Sequence, residues 1–190
     1  GVVGVGTITD PYQPIEAHYK ITLKSLQVLL RAEFPVSIQT KNPLVLRDVE
    51  LLAKHRELVD VGFTITTLSY EEARFIEPNS PPPRSRVDAL KKLSTIGLKT
   101  WIFYGPIIPA INDDEETIKY LVELAAETNS ILYYDPLHVK PFMKTPTHIL
   151  YMHALKTTRE WRQKIVKNIL EKCRELGVKC KPGFTGDILE

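Results

Sequence analysis

Polar side chains gather in this sequence wherever an apolar, β-branched run gives out, and they are of the types that bind small polar molecules. The run Val2 to Ile8 is followed by Thr9, Asp10 and Glu16, with Pro11 and Pro14 between them. Two fixed φ angles stiffen that loop, so its hydroxyl and carboxylates lose little entropy on binding a ligand. An acid at either position can equally favour the start of the following helix through its dipole. The run Pro35 to Thr40 ends at Lys41. Period-two alternation puts Ser37, Gln39 and Lys41 on one face and Val36, Ile38 and Thr40 on the other. A lysine at that place can receive a carboxylate as a point charge or, if desolvated, act as a nucleophilic amine. Thr64 and Thr66 share a face and offer hydroxyls suited to a ribose or an amino acid. Tyr133, Tyr134, Asp135 and His138 cluster on or after a later run, where Asp135 and His138 read as an ordinary hydrogen-bonding pair rather than a metal site.

The elements that must position these residues alternate. Apolar β-branched runs at Val2 to Ile8, Pro35 to Thr40, Val59 to Thr66, Leu98 to Ile108, Ile131 to Val139 and Val178 to Lys181 read as strands. Between them lie segments with helical apolar spacing, such as Ile118, Leu121, Val122 and Ala125, or Trp161, Ile165, Ile169 and Leu176, the last set placing Trp161 in the core. Thr157 with Glu160 and Asp113 with Glu116 fit capping boxes, and Gly97 and Gly177 fit helix terminators. Alternation with crossover-length connections predicts a parallel sheet and the α/β class. An open doubly wound sheet and a barrel or partial barrel both satisfy that pattern, but Gly4 to Thr9 lacks the third glycine of a dinucleotide-binding turn. The proline-rich stretch Glu77 to Pro83 reads as a rigid rim loop, which leaves residues 1–190 as one domain.

Composition narrows the partners. Lys and Arg together number 25 against 23 Asp and Glu, so the overall field makes no case for nucleic acid. There is no apolar run long enough to span a bilayer and no signal-peptide layout, which gives no membrane partner and a cytoplasmic expectation. Cys173 and Cys180 match neither a zinc framework nor a disulfide-rich scaffold and read as small structural side chains. An apolar strand begins immediately after Gly1, which carries the expectation that something precedes it.

In order along the chain, Thr9-Asp10-Pro11-Tyr12-Gln13-Pro14-Ile15-Glu16, then Gln39-Thr40-Lys41-Asn42-Pro43-Leu44-Val45-Leu46-Arg47-Asp48, then Thr64-Ile65-Thr66-Thr67, Glu77-Pro78, Arg86 and Pro106 to Asp113 resemble the radical S-adenosylmethionine (SAM) proteins related to spore photoproduct lyase, the DNA repair photolyase-like group. The resemblance covers Gly1 to about Val139 and leaves 140–190 as a further helix and strand. It implies a partial (β/α)6-type TIM barrel of parallel strands, truncated at its N-terminal unit. It also implies SAM and a 4Fe-4S cluster as cofactors, a lyase-type radical enzyme, nucleic acid as a candidate substrate, and a reductant such as ferredoxin or flavodoxin. The SAM-binding residues it implies are Thr9, Asp10, Glu16, Gln39, Lys41, Thr64 and Thr66, with the backbone from Pro106 to Pro109 near the adenine. No Cys-x-x-x-Cys-x-x-Cys occurs in the 190 residues, so the cluster ligands are expected upstream of Gly1, the chain by itself is expected to be inactive, and no catalytic or metal-ligating residue is assigned.

Two further readings stay open. One is a barrel lyase or aldolase with Lys41 as a Schiff-base amine. The other is a nucleic-acid-binding module built on Lys140, Lys144, Lys156, Arg159, Arg162, Lys164 and Lys167, with Met143, Tyr151 and Trp161 for stacking.

Overall fold

A computed structural model describes residues 1–183. Six strands, β1 (Val3–Val5), β2 (Val36–Thr40), β3 (Val59–Thr64), β4 (Lys99–Ile107), β5 (Ile131–Pro136) and β6 (Cys180–Pro182), form one sheet. Every neighbouring pair is parallel, and the spatial order follows the chain. A doubly wound sheet reverses its strand order at a switch point, and no reversal occurs among these strands. With each crossover turning in the same right-handed sense, the helices collect on one side and the sheet curves around the other. The architecture is therefore the partial barrel.

The helices are α1 (Glu16–Tyr19), α2 (Ile21–Arg31), α3 (Val49–Lys54), α4 (Tyr70–Ile76), α5 (Pro83–Thr95), α6 (Glu115–Glu127), α7 (Tyr151–Lys156) and α8 (Arg159–Glu175). Their apolar stripes meet the outward-facing strand residues. Leu26 and Leu30 of α2, Leu90 and Leu93 of α5, Leu121 and Val122 of α6 and Ile165 and Ile169 of α8 share one core with Ile38, Phe63, Ile102 and Leu132. Trp161 packs at the margin of this core, half-buried, with its indole Nε1 donating to Asp113 Oδ2 at 2.7 Å.

Local signals were read with small offsets. The caps sit one residue later than the sequence boxes suggested: Asp114 accepts from the Thr117 N–H and Thr158 from the Trp161 N–H. An N-cap must be extended while its side chain reaches the third residue on, and Asp114 and Thr158 meet that condition. Gly97 and Gly177 do end α5 and α8, at φ of 79° and 66°. The first strand is shorter than its apolar run, because the chain leaves the sheet after Val5. The Glu77 to Pro83 stretch is the rim connection between α4 and α5.

One expectation is overturned. Cys173 of α8 and Cys180 of β6 are joined in a disulfide with Cα atoms 6.2 Å apart, not left as separate small apolar side chains. The turn at Gly177 folds β6 back along α8, and that tertiary reversal brings the two thiols together.

A second network fixes the loop after β1. The buried Glu16 carboxylate accepts from the N–H groups of Thr22 and Leu23 at the start of α2 and from Arg47 Nη2 at 2.8 Å. Arg47 also pairs with Asp48, which accepts from the Tyr12 hydroxyl. Burial alone would push the Glu16 carboxyl up, but Arg47 and the backbone N–H groups outweigh it and hold the pKa below the ordinary glutamate value.

Reduction of the Cys173–Cys180 bond is expected to lower stability by about 2 to 3 kcal/mol, the loop-closure value for so short a loop. Urea unfolding with and without a thiol reductant measures it. Because the folded pKa of Glu16 is depressed, its contribution is complete above the unfolded value and is lost as pH falls through the folded one. Glu16→Gln is expected to cost about 1 to 3 kcal/mol at neutral pH and to flatten the acid limb of a melting temperature against pH profile.

Candidate functional site

The carboxyl ends of the strands surround a pocket of about 250 Å3. Thr9 and Asp10 from the loop after β1, Gln39 of β2 with Lys41 just beyond it, Thr64 of β3, Phe103 and Pro106 of β4 and Asp135 of β5 line it. In parallel α/β sheets this is the edge where strands end and loops can specialise without disturbing the core.

Each expected residue has a definite place. The Asp10 side chain is a clamp: Oδ1 accepts from the Tyr12 N–H and the Thr40 hydroxyl, and Oδ2 accepts from the Lys41 N–H at 2.7 Å. It ties the loop after β1 to the end of β2 and thereby sets where Thr9 and Lys41 stand. Lys41 is 35% exposed, and its ammonium lies 2.8 Å from Glu77 Oε1. Glu77 Oε2 meets the wholly buried Arg86 at 2.6 Å, and Arg86 also donates to the Thr64 and Pro81 carbonyls. Two cations on one carboxylate leave a local positive charge, and one of them faces the pocket. Gln39 Nε2 donates to Thr64 Oγ1 at 3.1 Å, so these two wall residues hold each other.

Glu16 and Thr66 are not part of this wall. Glu16 turns back to cap α2 and bind Arg47, an arrangement that satisfies a buried carboxylate. Thr66 lies past the end of β3, where the strand alternation no longer applies. Its carbonyl accepts from Asn112 Nδ2, and its own hydroxyl is buried without a partner among the described residues.

Phe103 joins this wall without having been singled out in the sequence, and Asp135, expected only as a partner of His138, lines it too; alternation along β4 and β5 puts both on the inward face with Trp101 and Tyr133. The nearly buried Asp135 carboxyl is pushed up by desolvation, against the opposing pull of His138 and Arg162. Its Oδ1 lies 2.8 Å from His138 Nε2, the hydrogen-bonded pair expected from the sequence.

Below this pocket the concave face of the sheet encloses a second cavity, of about 650 Å3. Ser37, Asp60, Trp101, Ile131 and Tyr133 line it, and it shares Thr7, Gln39 and Phe103 with the upper pocket. The two spaces are neighbours across a thin wall. Among the described residues no group of three or more His, Cys, Asp or Glu side chains could hold a metal ion, so these residues do not fit an iron-sulfur cluster.

The rival readings lose ground. Lys41 sits beside a carboxylate and solvent, not in the apolar pocket that a Schiff-base amine needs. In the basic tract, Trp161 is spent on Asp113, and the Arg162 guanidinium donates to the Leu137 carbonyl. No helix among the described residues is long and apolar enough to cross a membrane.

No protein-family model matches the chain. An uncharacterized protein of Methanocaldococcus jannaschii is 36% identical over 141 residues, which are 74% of this chain. The chain spans 52% of that relative's length. Among solved structures, a domain of pyruvate-formate lyase-activating enzyme from Bacteroides vulgatus superposes with a TM-score of 0.68 at 16% identity, covering 97% of this chain and 99% of that one. A spore photoproduct lyase mutant, solved with bound S-adenosylmethionine and a dinucleoside spore photoproduct, gives 0.68 at 11% identity, covering 96% and 60%. In its single parallel sheet and its helices the chain has the partial-barrel fold of the radical SAM enzymes.

Proposed function

We propose that this chain is the SAM-binding part of a radical SAM enzyme. The observation that carries the reading is the convergence of Thr9, Gln39, Lys41 and Thr64 on one pocket at the carboxyl edge of a sheet with that fold. A zwitterionic nucleoside finds complementary groups there. Lys41 keeps two ammonium N–H donors beyond the one used on Glu77, and these receive the carboxylate of the methionyl group. Thr9 and Thr64 offer hydroxyls, Asp135 accepts from the ribose, and Phe103 with the backbone at Pro106 gives the adenine an apolar wall. Asp10 acts by holding the wall in place, and Glu16 and Thr66 support the fold around it.

In this reading a 4Fe-4S cluster would be held by residues of the whole protein other than those described and would supply the electron that SAM cleavage requires. The whole enzyme would take that electron from a reductant such as ferredoxin or flavodoxin. Nucleic acid is the substrate class suggested by the likeness to spore photoproduct lyase. The lumen beneath Gln39 and Phe103 is the space in which a substrate would meet the cleaved nucleoside.

Full-length protein, prepared without oxygen and supplied with iron and sulfide, is expected to release 5′-deoxyadenosine from SAM on reduction with dithionite. Lys41→Met is expected to weaken SAM binding by on the order of tenfold, the worth of a charge-assisted hydrogen bond, with the cluster absorbance unchanged. Calorimetric titration reads the affinity and chromatography the product. A cluster-loaded protein that makes no 5′-deoxyadenosine, or a Lys41→Met variant that binds SAM as tightly as the parent, sinks the reading.

A further inference from the structure

The lumen is built around a fixed aromatic platform. Trp101 of β4 lies over Gly62 of β3, its register partner, so closely that a Cβ on Gly62 would fall 2.1 Å from the ring. Only glycine lets the indole lie there. Asp60 Oδ1 accepts from Trp101 Nε1 at 2.7 Å and from the Ser37 hydroxyl, and Tyr133 meets the indole edge-on with centroids 5.5 Å apart. The indole is held at one face, at its nitrogen and at its edge, and the rest of it lines the cavity.

Two polar groups beside this platform keep an acceptor oxygen available. Both donors to Asp60 use Oδ1, which leaves Oδ2 without a hydrogen bond among the described residues. Gln39 spends its Nε2 on Thr64 and likewise leaves Oε1 without a partner among them. A ligand that suits the cavity is therefore flat, to stack on the indole, and carries N–H donors. Lys99 lines the lower edge with its ammonium 3.7 Å from Glu57 at the surface, and Asp60 disfavours an anionic group. A flat ring with two N–H groups meets these conditions.

We infer that the lumen is a binding site for a 2-amino-6-oxopurine (guanine-type) ring, stacked on Trp101 with its N–H edge toward Asp60 and Gln39. In calling this ring a substrate the inference rests on the proposed reading, since Gln39 and Phe103 are also walls of the upper pocket. As a binding site it stands on the lumen alone. The volume of about 650 Å3 accommodates a nucleoside and lies within the range of small-molecule sites.

The chain has two tryptophans, so Trp161→Phe leaves Trp101 as the single reporter. In that background guanosine is expected to quench the emission with a Kd about tenfold or more below that of thymidine, whose base has one N–H between two carbonyls. Asp60→Asn keeps an oxygen for the indole N–H but removes the charge, and is expected to abolish the preference. Trp101→Leu, followed by calorimetry, is expected to weaken guanosine by on the order of tenfold. Equal affinity for the two nucleosides, a preference that survives Asp60→Asn, or tighter binding of N-acetylarginine amide than of guanosine overturns the assignment. SAM is titrated in parallel. Guanosine failing while SAM binds removes the lumen site alone, whereas SAM failing while guanosine binds removes the radical SAM reading and leaves the lumen site standing.

Discussion

Among the described residues, helices cover one face of this sheet and not the other, and the rest of the structure depends on that asymmetry. Parallel strands in chain order require crossovers of one hand, so the helices are delivered to the same side each time. The outer face becomes an apolar core. Among the described residues the inner face has no second layer to bury it and is lined instead by groups that satisfy one another: Ser37 and Trp101 on Asp60, and Gln39 on Thr64. A concave surface of that kind is rigid yet wettable, which suits it to hold a polar ligand.

The same arrangement separates carboxylates that hold the site from side chains that face it. Asp10 and Glu16, both expected as ligand contacts, each accept from backbone N–H groups and from one side chain, Thr40 for Asp10 and Arg47 for Glu16. Such bonds stiffen two loops that would otherwise have to be ordered at the expense of binding energy. Lys41 is placed by a relay, with Arg86 buried behind Glu77 and Glu77 behind Lys41. Because Arg86 already compensates Glu77, the lysine can address a ligand without stranding a buried carboxylate.

The two cavities meet at Thr7, Gln39 and Phe103. Alternation along one strand sends Gln39 to the wall that both spaces share, while Thr40, one residue on, bonds Asp10 at the rim. A nucleoside in the upper pocket and a flat ring on Trp101 would be separated by side chains rather than by backbone.

By itself the sequence determined the alternation of strand and helix, the α/β class, the inward parity of Ser37, Gln39 and Thr64, and the chain ends of α5 and α8 at Gly97 and Gly177. Those features are local: they follow from the two-residue and 3.6-residue periods and from the backbone freedom of glycine. Tertiary structure alone decided that Glu16 caps α2, that Thr66 leaves the wall, and that Cys173 meets Cys180. Each of these depends on which segments distant in the chain become neighbours. A carboxylate or a thiol is set by the partner that reaches it, and periodicity along one strand carries no record of that partner.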